Sequence, residues 1–164
     1  MLVLEVTDET DPATLRSRLV EYLVEIHHID QAAFAGQALQ RYPADLGALV
    51  ALAQVAKARG DDDAFARIFS SMQSNLASGS DRALAWDRRV SLAVVLALGG
   101  RNDLSLAQVK RCVAEVDDAR MRLLTTGSLY HLLVLCKHFG VEIADPKLHA
   151  LAMKLLPAEL RDRL

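Results

Sequence analysis

Apolar residues recur along most of this chain at three- and four-residue intervals, the spacing that gathers them on one side of an α-helix. Behind Asp11-Pro12, Leu15, Leu19, Tyr22, Leu23 and Ile26 mark the first such face. An aspartate followed by proline is a helix start: the carboxylate caps free N–H groups, and proline gives up an N–H that had no partner there. Asp30 is the expected cap of a second helix carrying Ala33, Phe34, Ala38 and Leu39 and ending near Tyr42-Pro43. Before Asp11 the pattern changes. Residues 1–7 alternate apolar and polar positions, which predicts an extended arm or a lone strand, so residues 1–9 are read as an N-terminal arm and 10–164 as a helical-repeat domain.

Further along, the pattern repeats. Gly60, Gly100 and Gly140 are 40 residues apart, and the segments that end at them align without gaps: GALVALAQVAKARG, DRRVSLAVVLALGG and GSLYHLLVLCKHFG. In that register Leu52, Leu92 and Leu132 coincide, as do Val55, Val95 and Leu135, and Ala56, Leu96 and Cys136. The columns are three and four residues apart, so each segment is expected to bury the same helical face and to end at its glycine, which reaches left-handed backbone angles without a Cβ penalty. Asp63, Asp103 and Asp145 are the expected caps of the second helices. These carry Phe65, Ile68, Phe69 and Met72, then Leu106, Val109, Val113 and Val116, then Leu148, Leu151, Ala152 and Leu155. Ser78-Gly79-Ser80-Asp81 and Asp117-Asp118 separate the pairs, and Pro157–Leu164 reads as a short closing helix. The expectation is an all-α chain of four helix-turn-helix hairpins, eight helices plus the closing one, stacked so that neighbours bury each other's apolar faces. An irregular helical bundle with equally spaced glycines is the alternative.

Leu49–Met72, with its Leu-x-x-Leu-Ala start and Ala-Arg-Gly-Asp turn, resembles a tetratricopeptide repeat, and Ala38-Leu39-Gln40-Arg41-Tyr42-Pro43 resembles the end of one. The later units depart from that pattern in running to 40 residues and in lacking its Trp-x-x-Leu-Gly start. The resemblance implies a right-handed solenoid that binds peptides or proteins in a concave groove.

Composition supports helix: Leu and Ala supply 53 residues, against 4 Ile, 8 Gly and 4 Pro. The net charge of −2 excludes a strongly basic nucleic-acid binder, yet it is unevenly spread, with −6 over residues 1–63 and +4 over 64–164. Arg82, Arg88, Arg89, Arg101, Lys110 and Arg111 gather mid-chain with only Trp86 among them, a poor platform for stacking bases. Cys112 and Cys136 read as small core residues. The start of the chain has no basic region or cleavage-like site, and the longest apolar run, Leu92–Leu98, is too short for a membrane span, so a cytoplasmic setting is expected. No nucleotide-binding, nucleophile-elbow or zinc-protease motif is present, which argues against an enzyme. Asp61-Asp62-Asp63 lacks the alternating ligands of a calcium loop. His131 and His138 are two turns apart, too far to share one zinc ion, so no metal or other cofactor is expected.

The aligned first helices carry a second face. At about 100° per residue, Val50, Gln54 and Lys57 lie opposite the core columns, with Val90, Val94 and Ala97, then Tyr130, Val134 and Lys137, in matching positions. If these helices line a concave side, Val90, Val94, Tyr130 and Val134 form an apolar bed flanked by Lys57 and Lys137, suited to an amphipathic helix or an extended peptide. The alternative is that neighbouring helices or the closing segment cover these residues. Two functions follow: a protein-interaction module such as an adaptor, assembly factor or chaperone, or a homo-oligomer joining acidic and basic halves of different copies.

Overall fold

A computed structural model describes residues 11–142 and 146–164, and every regular element among them is helical. In order these are α1 (Pro12–Glu25), α2 (Ile29–Gly36, continued by a 3₁₀ turn at Gln37–Arg41), α3 (Leu46–Ala58) and α4 (Asp62–Ala77); a second 3₁₀ turn, Ser80–Ala83, precedes the rest. There follow α5 (Trp86–Leu98), α6 (Asn102–Ala114), α7 (Asp118–Leu123), α8 (Thr126–Phe139), α9 (Pro146–Leu155) and α10 (Ala158–Arg161). The expected arm at residues 1–9 and the expected cap at Asp145 lie outside the described residues.

The 40-residue register reappears in the turns. After α3, Asp61 N–H donates to Ala56 O at 2.9 Å and Gly60 N–H to Lys57 O at 3.1 Å. Arg101 and Gly100 make the same two bonds to Leu96 and Ala97, and Val141 and Gly140 make them to Cys136 and Lys137. Each glycine has a positive φ, 69°, 76° and 62° in turn, so each helix ends in the paired-bond left-handed cap that glycine favours. A fourth copy of the turn follows α1: His28 N–H reaches Leu23 O at 2.8 Å and His27 N–H reaches Val24 O at 3.0 Å. His27 holds the left-handed position at φ 60°. No glycine marks this turn, so the sequence repeat does not extend to it.

The helix starts depart from expectation by a residue or two. Asp11 caps α1 through Thr14 N–H at 3.2 Å, as its pattern predicts. Asp61, and not Asp63, caps α4 through Ala64 N–H at 2.9 Å, because the tight turn after Gly60 brings the chain straight into the next helix. The residues ahead of α2 and α6 are His28 and Arg101, neither making a side-chain cap bond, and Asp30 and Asp103 fall in the first turn, where their charge favours the helix dipole. Asp117 caps the additional short helix α7 through Arg120 N–H at 2.8 Å.

The chain divides into two units, residues 1–84 and 85–164. In the first, α3 packs against α1, α2 and α4. Leu46–Ala51, Ala53, Val55 and Ala56 of α3 are all buried, as expected of a helix apolar on every side. Its core joins Val20, Ala32, Leu39, Ala48, Ala51 and Val55, and buried Gly36 lets α2 close on α3: a Cβ there would stand 3.3 Å from Leu52 Cδ2. The buried side of α1 is Ala13, Ser17, Val20 and Glu21, not the leucine stripe of the sequence pattern. Phe34, expected to be a core residue of α2, is 76% exposed.

In the second unit α5 packs against α6 and α8. Leu92, Val95, Leu96, Leu132, Leu135 and Cys136, the aligned columns, are all buried. Leu132, Leu135 and Cys136 share one core with Trp86, Val90, Val109, Cys112, Leu129, Leu148 and Leu156, and Leu160 and Leu164 of the closing segment pack on it.

Candidate functional site

The residues expected to line a common groove differ in exposure and in partners. Val50 and Val90 are core residues, 0% and 1% exposed, and present nothing to a partner. Both sit mid-helix on α3 and α5, which carry apolar residues on nearly every side. Lys57 turns to its own hairpin: Nζ meets Asp62 Oδ1 at 2.8 Å and stands 5.3 Å from the centre of the Phe65 ring. Gln54 is half-buried. Val94 and Tyr130 are partly buried against the second unit's core. Lys137 Nζ donates to Arg163 O at 3.3 Å, so the closing segment runs beside the α8 face that was expected to receive a ligand. Val134 is 38% exposed.

Some of the mid-chain basic residues are engaged within the fold. Arg88 and Arg89 are buried, Arg89 in an ion pair with Glu115, whose carboxylate Arg120 also approaches at 3.4 Å. Trp86 Nε1 donates to Cys112 O at 2.9 Å, and Ser105 Oγ to Ala93 O at 2.6 Å. These bonds tie α6 to α5 and its start. Sequence reasoning missed them because a buried guanidinium has the same signature as an exposed one until its partner, here 26 residues away, is located.

A cleft of about 250 Å³ opens in the first unit between α2, α3 and α4. Its floor is Leu52, Val55 and Ala56 of α3, with Ala33 and Gly36 on one wall, Ala64 and Ile68 on the other, and Gln37, Gln40, Arg59 and Asp61 at the edge. The small side chains leave the space between the walls unfilled. The floor residues are the aligned core columns: their counterparts in the second unit are covered, whereas Leu52 is only half-buried. No local sequence signal marks the cleft, because Ala33 and Gly36, Ala56, and Ala64 belong to three different helices.

Among the described residues no group of three or more His, Cys, Asp and Glu comes together as a metal site would require, and no helix is long and apolar enough to cross a membrane. Burial raises the thiol pKa of Cys112 to about 12 and that of Cys136 to about 11, which leaves both protonated and poor as nucleophiles. Burial also lowers the pKa of His131, whose ring lies 6.1 Å from that of Tyr130. Comparison with protein-family models, with curated proteins and with solved structures returned no significant match.

Proposed function

We propose that this chain is a protein-binding module, a right-handed stack of tetratricopeptide-like helix pairs, and that a peptide side chain is received in the cleft between α2 and α4. The cleft is the observation that carries this reading: an apolar floor with a polar edge of Gln37, Gln40, Arg59 and Asp61 suits a short apolar anchor whose backbone meets amides and charges. The recurring left-handed turns support the repeat. Successive first helices begin at Pro12, Leu46, Trp86 and Thr126, intervals of 34, 40 and 40 residues, the first of them the tetratricopeptide length. Binding fits the lining better than catalysis does. Among the described residues that line the cleft, Asp61 is the one carboxylate, and its Oδ1 accepts the capping bond of α4.

A displayed random-peptide library panned on the full chain tests this. Selected peptides should bind the Gln40→Ala/Arg59→Glu double variant at least about tenfold more weakly, since both side chains edge the cleft and are exposed. Absence of enrichment, or peptides that bind wild type and variant alike, would overturn the assignment.

A further inference from the structure

On the peptide-binding reading of the cleft, its rim also specifies what stands beside the apolar anchor. Between Lys57 and Asp62 the chain carries four charged side chains, and three of them are engaged locally. Lys57 Nζ pairs with Asp62 Oδ1 at 2.8 Å, and Asp61 Oδ1 accepts the Ala64 N–H at 2.9 Å. Asp61 thereby sits at the start of α4, where the helix dipole favours its charge. Asp63, next along, does not line the cleft. Arg59 is left over. It is exposed at the cleft edge, and its guanidinium has no ion pair or hydrogen bond to any described residue.

The α2 side of the rim bears on how a ligand runs. Gln37 and Gln40 stand one turn apart in the 3₁₀ continuation of α2, and their side-chain amides also have no partner among the described residues. Amides so spaced suit a backbone that continues past the anchor and not a chain end. Ala33, Gly36 and Ala64 leave about 250 Å³ over Leu52, room for one bulky apolar side chain. We propose that the cleft selects a peptide in which such a side chain, seated over Leu52, has an aspartate or glutamate next or next but one to it in sequence, held at Arg59. A guanidinium presents a planar fork that a carboxylate meets through two hydrogen bonds. Overall charge acts the other way: residues 1–84 carry 12 acidic and 7 basic side chains, net −5, which attracts basic peptides.

The test is a random-peptide library displayed with free C-termini and panned on the full chain. Wild type should enrich an apolar residue paired with Asp or Glu, and Arg59→Ala should weaken an enriched, labelled peptide about fivefold in fluorescence anisotropy. Arg59→Glu sets a second carboxylate on the edge that carries Asp61, so it should turn the selection to an apolar residue paired with Lys or Arg. Arg16→Glu makes the same change of charge at an exposed position of α1, which does not line the cleft, and should leave the selection acidic. Ala64→Leu, which fills the cleft from its α4 wall, should abolish enrichment with the helical circular-dichroism signal unchanged. Three results would overturn the acidic pairing and leave the cleft reading standing, provided Ala64→Leu abolishes them: apolar peptides without an acidic residue, peptides whose only carboxylate is the terminus, or basic peptides on wild type. An Arg59→Glu variant that still selects acidic peptides would do the same. No enrichment, or binding indifferent to Ala64→Leu, would overturn both.

Discussion

Arg89 is 4% exposed and owes its place to Glu115. A guanidinium left buried without its carboxylate is costly, so Glu115→Ala should lower unfolding free energy by about 3 kcal/mol, whereas Arg89→Met, which removes the charge as well, should cost less. Chemical denaturation of both variants checks the order as well as the size. His131 sets a pH dependence of known sign. Its pKa is lowered by burial in the folded chain, so the unfolded chain takes up the proton first as pH falls. The stability that rests on neutral His131 is therefore complete above the ordinary histidine value of about 6.5 and is lost as pH drops through it. His131→Gln should show a smaller fall in melting temperature between pH 7.5 and 5.5 than wild type. The two cysteines should stay silent to a thiol reagent in the native state and react only on unfolding, since each thiol is buried and held protonated.

The recurring unit at the level of elements is the helix-ending turn, and its four copies differ in the residue at the left-handed position: His27, Gly60, Gly100 and Gly140. A side chain with a Cβ is strained there, glycine is not, and His27 is exposed, so His27→Gly should stabilise the chain by about 1 kcal/mol. Gly100→Ala, with no atom within 4 Å of an added Cβ but the same positive φ, should destabilise it by a similar amount. Equilibrium unfolding measures both. The contrast also explains what the sequence made legible. Three turns announce themselves through glycine, and with them the 40-residue register and the buried columns of α5 and α8. The first turn carries histidine, so only the structure reveals that α1 and α2 end and begin as the later pairs do. On α1 the apolar period is real, but the core takes the opposite side, where Ala13 and Ser17 allow close approach to α3. A hydrophobic stripe identifies a face that avoids water without saying what covers it.

At the scale of the whole molecule the same limit explains why Val50 and Val90, expected on a ligand-binding face, are core residues. Helical phase fixes direction about one helix axis and says nothing about what the neighbouring elements bring: the closing segment beside Lys137, the Asp62 carboxylate on Lys57. The cleft, in contrast, arises from small residues on three helices, a coincidence that no single helical pattern contains. Charge is legible at this scale. Residues 1–84 carry 12 acidic and 7 basic side chains, net −5, and residues 85–164 carry 9 and 12, net +3. Self-association through these charges would carry a definite salt dependence. If acidic and basic halves of different copies met, the attraction would be long-ranged and would fade once the Debye length falls below about 8 Å. Sedimentation equilibrium at 50 and 500 mM sodium chloride should accordingly find a dimer built on these charges only at the lower salt. A dimer equally stable at both would point instead to an apolar interface, because salt does not weaken the removal of apolar side chains from water.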